Sequence, residues 1–196
     1  MGQTPPGRPM THRRANAYPL VFWILVAVWM TTIFVFSAMP ADESQVQSGH
    51  FAWLLIGWLR PDYPTLSPDD QYTILHLYDH IVRKCAHATE YTLLGILVEI
   101  ALDRSLSRRG QGGERSLRPS LIALCSVAIC ALYASSDEIH QLFVPGRAGM
   151  VGDVAIDTCG AFIGVLVTWI VIAAARRSRA SRREMASRDE SCGVDP

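Results

Sequence analysis

Eleven polar side chains in the apolar part of this chain are spaced as though they act together. Arg83, Lys84, His87, Glu90 and Tyr91 recur at intervals of three and four, so one helix carries them on a single face. Asp137, Glu138 and Gln141 fall within one further turn, and Arg147 follows the turn signal Pro145-Gly146. Asp153, Asp157, Gly160 and Gly164 then succeed one another at i, i+4, i+7 and i+11, two carboxylates above two glycines that admit a close neighbour.

Two kinds of chemistry suit these residue types. Guanidinium and ammonium groups capture phosphate or carboxylate oxygens, arginine in bidentate fashion, so Arg83, Lys84 and Arg147 are expected to clamp an anionic or amide-bearing head group. Tyr91, Gln141, Asp153 and Asp157 complete the expected binding set. The other chemistry is proton transfer. His87 oriented by Glu90 is a candidate acid or base, and Asp137 with Glu138 a carboxylate pair able to share a proton. For any one pair, such as Arg83 with Glu90, mutual neutralisation is a sufficient explanation. It is weaker for three segments that place titratable groups at one depth of a membrane, where ionisable residues are costly.

Other constellations are excluded or left structural. His76, His80 and His87 share a helical spacing, but His76 precedes the apolar span and no HExxH pattern occurs, so no metal is expected. No cofactor is expected either. Ser135 and Ser136 adjoin Asp137 and lie five and four residues before His140, without a Gly-x-Ser-x-Gly elbow, and satisfy helix backbone or packing instead. Glu99, near the far end of its helix, is expected to snorkel toward water or meet an arginine.

The elements that must hold these residues are apolar helices. Of 196 residues, 49% are hydrophobic and 18% charged, a balance that points to a membrane protein. Residues 20–39 carry no charge and are long enough to span; without a small-x-small exit site they form an uncleaved anchor. Further spans are expected at about 84–102, 119–138 and 153–175, the second weakened by His87, Glu90 and Glu99. Between the first two, Phe51–Leu59 is too short to cross but carries Trp53 and Trp58, as an interfacial or re-entrant helix does. Ser67-Pro68-Asp69-Asp70 supplies a capping hydroxyl, a proline for the first helical position and two carboxylates for the positive dipole end, so a helix starts there and runs on into the second span. The five cysteines show neither a CxxC nor a disulfide framework.

Fourteen of the eighteen Lys and Arg lie in the two tails and the 103–118 loop, which by the positive-inside rule places both termini in the cytoplasm and requires an even number of spans. The basic tail is read as enforcing this topology rather than as binding lipid. The expected fold is therefore all-α: a four-transmembrane-helix bundle, residues 18–176, with an interfacial or re-entrant helix in the first outer loop. Disordered tails are expected at 1–17 and 177–196, and a flexible Gly-, Ser- and Arg-rich loop at 103–118.

Two long segments then carry a resemblance. RKCAHATEYTLLG (83–95) and SDEIHQLFVPGRAGMVGDVAIDTCGAFIG (136–164) closely resemble the VanZ-like family, with its R-K-x-x-H-x-x-E-Y helix, its D-E-x-x-Q-x-F-x-P-G-R turn and its D-x-x-x-D-x-x-G helix. Ser37-Ala38-Met39-Pro40 looks like that family's S-x-x-P ending to the first helix, and the likeness extends over residues 20 to 175 apart from Ala41–Tyr78. Ala88-Thr89 departs from it, since an aromatic often follows the histidine there. The resemblance implies that Arg83, Lys84, His87, Glu90, Tyr91, Asp137, Glu138, Gln141, Pro145, Arg147, Asp153, Asp157 and Gly160 are family positions. It further implies a bacterial envelope protein, whose founding relative lowers susceptibility to the glycopeptide teicoplanin.

Three readings follow. The protein binds the head group of a membrane lipid or lipid-linked envelope precursor at the outer face of the inner membrane. Alternatively it is a membrane-embedded enzyme acting on such a precursor, or a structural partner or small transporter that uses its glycine stripe to meet a protein or a second copy. Nucleic acid is not an expected partner.

Overall fold

A computed structural model describes residues 18–106 and 118–192. The expected tail at 1–17 and most of the expected flexible loop, 107–117, lie outside the described residues. Among the described residues, five α-helices follow in order: α1 (Tyr18–Ser37), α2 (Ala41–Leu59), α3 (Pro68–Leu106), α4 (Pro119–Gln141) and α5 (Val151–Cys192), with a 3-10 turn at Tyr63–Thr65. Four of them, α1, α3, α4 and α5, contain stretches long and apolar enough to cross a membrane. Their outward faces bear exposed Leu, Val, Ile and Phe, as lipid contact requires.

α3 is the central helix and packs on each of the other four. Tyr91, Leu94, Val98 and Ala101 form its core-facing stripe, at i, i+3, i+7 and i+10. Val26 and Ile33 of α1, Cys130 and Ala134 of α4 and Ala161 of α5 close over that stripe. The tightest crossing is with α5. A Cβ added at Gly160 or Gly164 would run into the backbone carbonyls of Ala88 and Thr92, and Thr92 Oγ1 donates to the Gly160 carbonyl at 3.0 Å. Here the glycine stripe packs within the chain, against α3. Two aromatic donors fasten α1 to its neighbours: Trp29 Nε1 donates to the Glu90 carbonyl at 2.9 Å and Tyr133 Oη to the Met30 carbonyl at 2.6 Å.

α3 starts where its sequence signals place it. The Asp70 amide donates to Ser67 Oγ at 3.2 Å, and that hydroxyl donates to Asp70 Oδ2 at 2.7 Å. Ser67→Ala is expected to remove about 1 kcal/mol from this helix start. Faster amide exchange confined to residues 69–72 would register that loss; unchanged exchange there would refute the cap. With 39 residues, α3 is about 58 Å long and exceeds the hydrocarbon thickness, so its first turns project beyond the bundle and carry α2.

Three elements differ from expectation. α2 begins at Ala41, ten residues before the apolar Phe51–Leu59 run, and buries Ser48, Ala52 and Ile56 in a stripe of period four. Its start is polar but carries Asp42 and Glu43 in the first turn, where the helix dipole favours them. α5 continues from its apolar part to Cys192 rather than ending near Ala175, because six Arg, with Ala, Glu and one Met, all good helix formers, outnumber the four Ser in the sequence beyond. Glu99 reaches neither water nor an arginine. It is 2% exposed and accepts from Ser126 Oγ at 2.6 Å.

A candidate amphiphile site at the turn end of the bundle

The α1–α2 turn and the α4–α5 turn meet at one end of the bundle: the Ala41 amide donates to the Pro145 carbonyl at 3.3 Å, and Gly146, at φ 73°, lies against Ala41. Arg147 leaves that turn and donates from Nε to the Met39 carbonyl at 3.0 Å and from a terminal nitrogen to the Phe36 carbonyl at 3.3 Å. It thereby satisfies carbonyls at the negative end of α1. Two of its five N–H groups make these bonds, and the guanidinium also lines both cavities described next. Burial, followed by the like charge of Arg83, pulls its pKa below the ordinary value, with Asp137, Glu138 and Glu90 acting in the opposite sense.

Two adjoining cavities share Arg83, His87 and Arg147. The first, about 210 Å³, is largely apolar, walled by Ile33, Phe36, Met39, Phe51 and Val82, with Glu90 and Asp137 also reaching it. The second, about 260 Å³, is polar: Lys84, Gln141, Asp153 and His80 join the shared residues. Charge separates them further. Arg83 and Arg147 face Glu90 and Asp137 in the first, whereas Arg83, Lys84 and Arg147 face the single carboxylate of Asp153 in the second.

Pairing within the cluster crosses between helices. Lys84 of α3 forms an ion pair with Asp153 of α5. Arg83 Nε stands 3.7 Å from Asp79 Oδ2 one turn back, and Asp79 also accepts from Ser48 of α2. The carboxylate beside His87 is Asp157 of α5, with Nδ1 and Oδ1 3.7 Å apart, too long for a hydrogen bond. Glu90 was the expected orienting group, but the carboxylate that the fold brings to His87 comes from α5, across the helix interface. Asp157 is fully buried, and neither of its oxygens has a hydrogen-bond partner among the described residues.

Of the expected residues, Arg83, Lys84, His87, Glu90, Asp137, Gln141, Arg147 and Asp153 line one cavity or both. Three do not. Tyr91 is buried in the core with its ring 6.2 Å from that of Tyr133, because its position on α3 is turned toward α1 and α4. Glu138 turns away from Asp137, as consecutive helical residues must, and accepts from the Met150 amide at 2.7 Å, while Gln141 donates to Asp137 at 3.3 Å. The two acids therefore take separate partners. Asp157 stands behind His87.

α2 contributes residues that were not among those expected at the site. Ser44, Gln47, Ser48 and Phe51 form one wall of the apolar cavity. Their spacing of three and four was the available signal, masked by the polarity of the segment. Ser37, at the end of α1, is a further wall residue, 3% exposed, with its hydroxyl beside the Asp137 carboxylate. Among the described residues, no three His, Cys, Asp or Glu side chains group so as to hold a metal ion.

A family model described as VanZ/LLP1 matches residues 22–172, which include every residue of both cavities. No curated protein and no solved structure matches the chain.

Proposed function

The chain belongs to the VanZ/LLP1 family, and from that premise we propose that it binds a single-chain or isoprenoid amphiphile with an anionic head group. The observation that carries this reading is the join between the two cavities. An apolar chamber and a cation-rich chamber meet at two guanidiniums, which is the polarity profile of a lipid phosphate ester: tail on one side, phosphate on the other. The positive-inside distribution supports an orientation with the termini cytoplasmic and this end of the bundle on the outer face of a bacterial inner membrane. A lipid-linked envelope precursor held there would be kept from, or delivered to, other envelope factors, and lowered teicoplanin susceptibility is the phenotype that family membership suggests.

A second reading rests on His87. It borders both cavities and is backed by the buried Asp157, an arrangement suited to proton transfer on a bound precursor. The two readings separate by product: the binder returns its ligand unchanged.

Titration of the purified protein with a polyprenyl phosphate, followed by native mass spectrometry, tests the binding reading. Arg83→Gln, which removes a half-exposed side chain, is expected to weaken the complex about 10- to 100-fold, the range of a lost charge-assisted hydrogen bond. Uncharged polyprenol should bind no better to the wild type than to the variant. Equal affinity of both proteins for the phosphate, or equal affinity of the wild type for phosphate and alcohol, would refute the assignment.

A further inference from the structure

At the opposite end of the bundle, α1, α3 and α5 enclose a groove of about 450 Å³ that the site above does not use. Its two long walls repeat one pattern. On α3, Ile96, Ile100 and Arg104 stand at i, i+4 and i+8; on α5, Val171, Ala175 and Arg179 do the same. Each wall is therefore apolar over one turn, about 6 Å, and reaches an arginine about 12 Å from its start. Val171 is 61% exposed, so the groove opens sideways into the region occupied by lipid tails.

The mouth carries an excess of positive charge. Arg104, Arg176 and Arg179 line it against the carboxylate of Asp103, with which Arg176 pairs. The Arg104 guanidinium lies 5.8 Å from the centre of the Phe22 ring, a contact that holds it over the groove. A soluble anion would gain nothing from hydrocarbon walls, and a zwitterionic lipid gains little from a mouth with more arginines than carboxylates among the described residues. We propose that this groove is a selective site for an anionic phospholipid of the leaflet on the side of the chain termini. One acyl chain lies along Ile96, Ile100 and Val171, and the phosphate meets Arg104 and Arg179. The site is separate from the turn-end cavities and does not depend on what they bind.

The full chain in nanodiscs of equal phosphatidylglycerol and phosphatidylcholine provides the test, with retained lipid counted by native mass spectrometry after detergent release. Wild-type protein is expected to keep one phosphatidylglycerol in preference to phosphatidylcholine. Arg104→Gln and Arg179→Gln change exposed side chains, and each should reduce that retention about fivefold. Val171→Trp, which obstructs the apolar wall and leaves both arginines, should reduce it as well. A photoactivatable phosphatidylglycerol should label peptides within 96–104 and 167–179 of the wild type. Equal retention of both lipids, or retention indifferent to all three substitutions, would mark the lipid as a general annular coat and overturn the proposal. Labelling confined to α2 and the turn end would overturn it too.

Discussion

Leucine in place of Gly164 is expected to leave no correctly packed protein. The α3 backbone lies directly against this position, so the new side chain cannot be accommodated by turning a rotamer and must push α3 and α5 apart. Overpacking of an ordinary core costs about 1–3 kcal/mol, and displacement of the central helix should reach at least the top of that range. Gly164→Leu should therefore elute as aggregate, or melt many degrees below the wild type, in detergent that keeps the wild type monodisperse. Gly152→Leu is the control, since a Cβ there meets nothing within 4 Å and the variant should behave as wild type. A Gly164→Leu protein with unaltered melting would mean that the α3–α5 crossing is not as close as described.

The second large effect has the opposite sign. Asp157 is buried with both carboxylate oxygens unpartnered among the described residues, and a leucine, which has the same number of side-chain heavy atoms, removes the desolvation cost of that group. Asp157→Leu is expected to raise stability by about 1–3 kcal/mol while weakening whatever His87 contributes to the site. Unfolding in mixed detergent micelles reads the first effect and polyprenyl phosphate binding the second. Destabilisation accompanied by unchanged binding would make Asp157 a purely structural acid. Stability rising while binding falls is the pattern of a residue retained for function.

Much of this architecture was legible in the sequence because the underlying signals are long-range sums. Hydropathy over 20 residues and the placement of fourteen cations are insensitive to any one position, and the four apolar helices agree with both. The faces of α3 and α5 were legible for a similar reason: a helical repeat fixes which side chains project together before any neighbour is known. What periodicity does not carry is the identity of the neighbour. It placed Tyr91 on the site's face of α3 but held no information on depth, and α1 and α4 cover that turn. It offered Glu90 to His87, while the group beside the imidazole comes from α5. Nor did it reveal that α2 begins in the polar stretch Ala41–His50, since a short helix packed on one neighbour needs only Ser48, Ala52 and Ile56 as its stripe.

The glycines of α5 have one further consequence. Where the main chains of two helices touch directly, as at Gly160 and Gly164, few rotamers intervene to transmit a change at the surface. His87 and Asp157 stand beside that contact on short, stiff lever arms, so their separation is set by peptide geometry. The lipid-facing side chains can then be exchanged among Leu, Val, Ile and Phe without moving this pair.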